Sequence, residues 1–252
     1  AKSSAVWWIC LGAMAVFLAR AVFSLPPVSQ ALIADNDNMM RLVELRDWLS
    51  GQSWFDTHQY RVLPPEGISM HWSRYVDAGI AAIYLPLSAI FEPARAELLT
   101  LFLWPTLLAV LMILVIGHGT GRLFGGAGAF GALVVFLSWE KLGAEFNPAR
   151  IDHHNVQILC TTIVFYLSVI PGRARLKGAL AGAFTALALA VGLEMLPALA
   201  TIWGLMALGH AFSRPAAGDW LLGYGLALAL TAPLLFVGQT PAATWTTPHC
   251  DV

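Results

Sequence analysis

The sequence has few charged residues and few cysteines. Only 12% of its 252 residues are Asp, Glu, Lys or Arg, and 58% are hydrophobic, whereas soluble domains carry roughly 25% charged residues. The three cysteines are scattered and form no CxxC pair, which argues against a disulfide framework. The net charge of −1 gives no sign of a nucleic-acid-binding surface. We therefore expect an integral membrane protein with no nucleic acid among its partners.

Eight apolar runs predict a helical membrane protein. A helix needs about 20 apolar residues to span a bilayer, so several of the runs need flanking residues to cross. They are rich in Ala, Leu and Gly and do not alternate with polar residues, which favours helices over a barrel. The runs are Ala5–Leu25, Ala78–Phe91, Leu98–Ile116, Gly126–Trp139, Val156–Ile170, Gly178–Leu193, Met195–Phe212 and Trp220–Gly238.

Basic residues in short loops predict which loops face the cytoplasm. Arg122, the segment Arg173–Lys177 and Arg214 each lie between two apolar runs. If these three loops are inside, the segment 139–154 is outside. Lys2 weakly places the N terminus inside, so Asp35, which follows the first run, is outside as well.

This assignment conflicts with a topology in which every run spans the membrane. Three runs separate Asp37 from Asp152, and three crossings would place them on opposite faces. The weakest run, Ala78–Phe91, has fourteen residues and contains Pro86, so we expect it to lie in the outer interface. The alternative is that all eight runs span and that the two aspartates never meet.

The resulting prediction is an all-α, polytopic membrane protein with about seven transmembrane helices. Residues 1–252 form a single transmembrane module. Its long first external loop, 29–97, carries amphipathic or interfacial helices, one of which begins near Asp37.

Two short polar clusters are the candidate site. They are Asp35-Asn36-Asp37-Asn38 and Asp152-His153-His154. Carboxylate and imidazole groups are costly near a bilayer unless they pair, bind a metal or face water. Asp and His together suit a divalent ion, Mg²⁺ or Mn²⁺ through oxygen and Mn²⁺ or Zn²⁺ through imidazole. The ordinary alternative is that Asp37 (or Asn38) and Asp152 are helix N-caps.

Several further residues are predicted to lie on the same external face. Arginine side chains can hold a phosphate through their fork of donors, although in an interfacial loop they can also meet lipid headgroups. The candidates for phosphate binding are Arg41, Arg61, His71, Arg74 and Arg150. Glu194 lies at the predicted outer boundary of two helices, as a helix-end polar group or as part of the site.

The order and spacing of these motifs resemble the GT-C superfamily of membrane glycosyltransferases, most closely the catalytic subunit of oligosaccharyltransferases. In that family one span precedes a long external loop with an acidic motif, and a two-helix hairpin leads to a second acidic motif. The segment Asp35–Arg41, an Asp followed six residues later by Arg, is similar to the first motif. The segment Asn147–Asn155 is similar to the second motif, which is Asp-His-His in the archaeal branch. The resemblance covers nearly the whole chain as the N-terminal half of such an enzyme.

The resemblance implies roles for the polar clusters. Asp35, Asp152 and His154 would be ligands of a divalent metal, Mn or Mg with Zn as an alternative, and the metal would offset charge on a phosphate leaving group. Asp35 and Asp152 would be catalytic, with Asp35 orienting or activating the acceptor. Asp37 and His153 would support them.

The implied function is inverting transfer of a sugar from a polyprenyl-phosphate-type donor to an acceptor on the external face of the plasma membrane. The family's Trp-Trp-Asp motif and its C-terminal soluble domain are absent from this sequence. We therefore expect either a fragment of a longer enzyme or a different acceptor, and protein N-glycosylation is not supported. The alternatives are a transporter or ion pathway using Asp35, Asp152 and Glu194, and a non-catalytic assembly subunit.

Overall fold

The computed structural model describes residues 2–23, 27, 30 and 35–246, and these residues form a predominantly helical chain. The helices are α1 (Lys2–Phe23), α2 (Asn36–Leu49), α3 (Arg74–Ser88), α4 (Pro93–Ser138), α5 (Glu140–Ala144), α6 (His154–Val169), α7 (Ala174–Val191), α8 (Leu196–Ala211) and α9 (Pro215–Gln239), followed by a 3₁₀ turn, Ala242–Thr244. Two short antiparallel strands, β1 (His58–Gln59) and β2 (Ile68–Ser69), pair within the α2–α3 connection. The predicted all-α class is confirmed.

Within the described ranges, four helices are long and apolar enough to cross a membrane: α1, α4, α7 and α9. Helices α6 and α8 are apolar but shorter. These lengths support a membrane protein. The number of seven spans, the kind of membrane and the orientation stay predictions.

Helix α4 folds back on itself at Gly125. The backbone of Gly125 has φ 74° and ψ −168°, a conformation open almost only to glycine. A Cβ added to Gly117 would lie 3.2 Å from Cδ1 of Leu133, whereas sixteen residues of straight helix would separate them by about 24 Å. The two arms of α4 therefore form an antiparallel hairpin, as expected from the two apolar runs on either side of this glycine.

Helix α3 is an amphipathic helix of the segment 29–97, which is predicted to be the first external loop. It has 15 residues and is not among the four candidate spans. One of its faces is buried, with Val76, Asp77 and Ile80 each at most 1% exposed. Its predicted place in the outer interface stays a prediction, and the start of the predicted loop, before Asp35, lies largely outside the described residues.

Helices α7 and α9 pack through glycines at which the two backbones touch. A Cβ on Gly182 of α7 would collide with the carbonyl oxygen of Tyr224, and one on Gly223 of α9 would collide with the carbonyl oxygen of Arg175. Small residues allow such close approach between helices in a membrane, where packing drives helix association.

This contact gives a test of the helix pairing. We expect Gly182→Val to lower the thermal unfolding temperature of the detergent-solubilised protein, because the added side chain forces the helices apart at a cost of about 1–3 kcal/mol. The matched control is Gly225→Val, since a Cβ on Gly225 meets nothing within 4 Å. Equal losses in the two variants would contradict the pairing.

Candidate metal centre

The two polar clusters meet in the structure. The carboxamide oxygen of Asn38, which is fully buried, accepts hydrogen bonds from the backbone N–H groups of Ile151 (2.8 Å) and Asp152 (3.0 Å). The Arg150 guanidinium pairs with the Asp35 carboxylate. Segments more than a hundred residues apart therefore share one site, while the number of membrane spans between them stays a prediction.

The chain between α5 and α6 is held by its neighbours. Ala149 has a left-handed backbone (φ 72°) and is 1% exposed, and its N–H donates to the Leu101 carbonyl of α4 (2.8 Å). The Asn155 side chain donates to the Arg150 carbonyl (2.9 Å). The second cluster is thus fixed from both sides before α6 begins.

Asp152, His153 and His154 form a group that could hold a metal ion. One ligand atom from each lies within 4.8 Å of the others. Asp152 Oδ1 lies 2.6 Å from His153 Nδ1, and Asp152 Oδ2 lies 3.3 Å from His154 Nε2. Two ligands with metal bonds of about 2.0–2.3 Å can span such separations. Asp152 and His153 are buried, while the His154 side chain is 36% exposed, so the group opens to its surroundings at His154.

The helix caps differ from those that the sequence suggested at Asp37 or Asn38 and at Asp152. Helix α2 begins one residue after Asp35, and the Asp35 carboxylate accepts from the Asp37 N–H (3.0 Å). The prediction of a cap at Asp37 or Asn38 is wrong because the helix starts earlier. Asp152 accepts from the N–H of His153 (2.7 Å), which is itself the residue preceding α6, so an N-cap does not account for Asp152.

Asp35 is not part of the Asp152-His153-His154 group that could hold a metal. One Asp35 oxygen caps α2 and the other pairs with Arg150. Arg150 also donates to both oxygens of Glu145 at 2.9 Å, so its guanidinium bridges two carboxylates beside the centre. A role for Asp35 as a ligand stays a prediction, and Asp37 is exposed.

Glu194 belongs to this site. It lies between α7 and α8, with Oε1 2.9 Å from His153 Nε2, and its Oε2 accepts from the Gln157 side chain (2.6 Å). A Cβ on Gly192 would lie 2.6 Å from Gln157 Nε2 and would collide with the Glu194 carboxylate. The glycine therefore leaves the space in which Glu194 reaches the histidine.

The charges of the centre suit a cation. Burial raises the pKa of Asp152, but the contact with His153 outweighs it and lowers this pKa to about 2. Burial likewise raises the pKa of Glu194, while bonds from His153 and Gln157 bring it down to about 2. Burial lowers the pKa of His153, and the two carboxylates more than compensate and raise it. At neutral pH, two anionic carboxylates thus lie against one imidazole.

Arg41 and Arg74 are turned inward. Asp77 accepts from Nη1 of Arg41 (3.1 Å) and of Arg74 (3.0 Å), and all three residues are at most 1% exposed. Their guanidinium groups are thus not offered to solvent, contrary to the expectation that they face a phosphate. Arg41 instead lies 4.6 Å from the ring centre of Trp72, which lies 6.1 Å from the ring of His153.

The other predicted phosphate-binding residues keep exposed surface. The Arg61 side chain is 74% exposed and only 3.9 Å from Asp47, a weak pair. The Arg150 side chain is 25% exposed. His71 is exposed and lies edge-on to Trp72 at 6.4 Å.

Four residues of the site were not found from the sequence. Gln157 lies one helical turn after His153, so the i, i+4 spacing could have indicated it. Asn38 stands inside the first cluster, but nothing local shows that its side chain bonds a distant backbone. Trp72 and Glu145 carry no local signal, since only the tertiary fold brings them to the centre.

Asn38 gives a test of how the clusters are joined. We expect Asn38→Leu to weaken Mn²⁺ binding roughly tenfold, because two buried N–H groups lose their acceptor at a cost of about 1–3 kcal/mol each. Asn38→Asp should bind more tightly than Asn38→Leu, since it keeps the acceptor oxygen and the lost Nδ2 has no partner among the described residues. Equilibrium dialysis measures the Mn²⁺ affinity of both variants. Wild-type affinity in Asn38→Leu would show that the Asn38 side chain does not hold the site together.

Glu44 gives a test by pH. Its side chain is fully buried and lies 3.6 Å from Arg41 Nη1. Burial raises its pKa, Arg41 lowers it, and the balance is about 8, against 4.5 for an unperturbed group. Between these two values the folded state holds a proton that the unfolded state has lost, so stability falls as pH rises through this window, by up to about 1.4 kcal/mol per pH unit.

The comparison is thermal unfolding at pH 5 and pH 8. We expect Glu44→Gln to flatten the pH dependence and the exposed Glu66→Gln to leave it as in the wild type. If stability depends on pH in Glu44→Gln as it does in the wild type, another titrating group causes the dependence.

Comparisons with known proteins give no further assignment. No family model, curated protein or solved structure matches this chain. Functional inference therefore rests on the site itself.

Proposed function

We propose that this protein is a membrane glycosyltransferase that uses a divalent metal to move a sugar from a polyprenyl-phosphate-type donor to an acceptor on the external face. The observation that carries the proposal is the joining of the two acidic clusters by Asn38 and Arg150. Through Arg150, the Asp35 carboxylate is held by the segment that carries the Asp-His-His group, in a chain with four helices suited to a bilayer.

The donor set fits a divalent ion that accepts both oxygen and nitrogen. One carboxylate and two imidazoles, from Asp152, His153 and His154, favour Mn²⁺ over Mg²⁺, with Zn²⁺ as the alternative. When bound, the ion would offset the charge of the departing lipid phosphate. His153 Nδ1 is buried and lies 2.6 Å from Asp152 Oδ1, so two of the three ligand atoms are already adjacent.

The protein's own residues would bind and orient the reactants. Arg150, Arg61 and His71 are the predicted phosphate contacts with exposed surface. Glu194 holds the His153 ring through Nε2. The Asp35 side chain is 29% exposed and is the carboxylate that would take the proton of the acceptor.

The reaction is a single displacement. The acceptor oxygen or nitrogen forms a bond to the anomeric carbon while the bond from that carbon to the phosphate oxygen breaks. The lipid phosphate leaves with the electron pair, and the acceptor's proton passes to the carboxylate. Attack from the opposite face inverts the anomeric centre.

The test compares Asp152→Asn with the exposed, matched Asp219→Asn. Protein in nanodiscs receives Mn²⁺, a panel of undecaprenyl-phosphate-linked hexoses and candidate acceptors, and the measured product is free undecaprenyl phosphate. We expect Asp152→Asn to lose roughly a hundredfold in rate and Asp219→Asn to match the wild type.

Full transfer activity in Asp152→Asn would overturn the proposal. Cation flux in liposomes that depends on Asp35, Asp152 and Glu194, without sugar transfer, would instead identify an ion pathway. Failure of the wild type to bind Mn²⁺, Mg²⁺ or Zn²⁺ would favour a non-catalytic assembly subunit.

A further inference from the structure

A cavity lies on the flank of α2 between α3 and the start of α4. Its volume is about 250 Å³. Four of its aliphatic side chains, Leu42, Leu45, Ile80 and Leu101, are at most 4% exposed and form its floor. This floor offers water few hydrogen-bond partners, so an apolar group suits it better than water does.

A pair of opposite charges also lines the cavity. Arg46 donates from Nε to Glu97 Oε2 (2.7 Å) and from Nη2 to Glu97 Oε1 (2.6 Å). The Arg46 side chain is 57% exposed and that of Glu97 21%. Both charges are therefore within reach of a ligand that enters from outside.

The surroundings of this pair favour a lipid over a soluble ligand. Leu85 lines the cavity and is 53% exposed, and Leu98, next to Glu97, is 46% exposed. Ile90, in the connection between α3 and α4, is 75% exposed. An apolar floor, a charged rim and apolar flanks match the order of groups along an amphiphile that lies in a membrane leaflet.

We propose that this cavity binds a zwitterionic phospholipid. One hydrocarbon chain fills the floor, the phosphate faces Arg46 and the ammonium group faces Glu97. A zwitterionic headgroup offers a charge of opposite sign to both Arg46 and Glu97. An anionic headgroup has no ammonium group, so its phosphate would be repelled by the Glu97 carboxylate. The site does not include the metal-binding group, and the inference does not depend on the proposed function.

The first test measures whether the cavity holds a lipid. The full chain is equilibrated in detergent with equal amounts of phosphatidylethanolamine and phosphatidylglycerol, and retained lipid is counted by native mass spectrometry. We expect one retained phosphatidylethanolamine, and a roughly tenfold lower occupancy (about 1.4 kcal/mol) in Leu45→Phe, whose larger side chain fills the floor. The matched control is Leu111→Phe, at a 40% exposed position of α4.

The second test measures headgroup preference and needs no change in the core. Glu97→Gln keeps the shape of the rim and removes the charge that faces the ammonium group. We expect the ratio of retained phosphatidylethanolamine to phosphatidylglycerol to fall roughly tenfold. If Leu45→Phe does not fold, Glu97→Gln still tests whether the cavity binds a zwitterionic lipid.

Three results would overturn the inference. Equal lipid retention in the wild type and a folded Leu45→Phe would show surface lipid only. A wild-type preference for phosphatidylglycerol would contradict the role of the charge pair. An unchanged ratio of retained phosphatidylethanolamine to phosphatidylglycerol in Glu97→Gln would also contradict that role.

Discussion

Two hydrogen bonds to the Asn38 side chain hold the candidate site together. The carboxamide oxygen accepts hydrogen bonds from the backbone N–H groups of Ile151 and Asp152, and Asn38 is fully buried. A buried N–H without an acceptor costs about 1–3 kcal/mol, so these bonds resist separation of α2 from the segment before α6. Because Asp35 precedes α2 by one residue, the same contact keeps its carboxylate beside Arg150.

A second constraint is a buried cluster of charges that joins α2 to α3. Asp77 pairs with Arg41 and Arg74, and all three lie out of solvent. Removal of one partner from such a cluster leaves a buried charge uncompensated, at a cost of about 3–5 kcal/mol. The cluster connects α2 to α3 and, through the stacking of Arg41 on Trp72, places an aromatic ring beside His153.

The sequence was sufficient for features that depend on local pattern and on loop charge. The helical class, the chain reversal near Gly125 and the meeting of the Asp35 and Asp152 clusters were all predicted. The inward orientation of Arg41 and Arg74 was not, because an arginine in an external loop looks the same whether its partner is a lipid phosphate or Asp77. The capping role of Asp35 was missed because helix boundaries are uncertain by one or two residues. The contact of Glu194 with His153 depends on tertiary packing that no local spacing shows.

The central claim is that Asp152, His153 and His154 hold one divalent ion. The most direct test is pulsed electron paramagnetic resonance of Mn²⁺ bound to the protein labelled with ¹⁵N-histidine. The account predicts a stoichiometric high-affinity Mn²⁺ whose spectrum shows coupling to two imidazole nitrogens, and loss of that signal in Asp152→Asn. Bound Mn²⁺ without histidine coupling, or no Mn²⁺ binding at all, would contradict it.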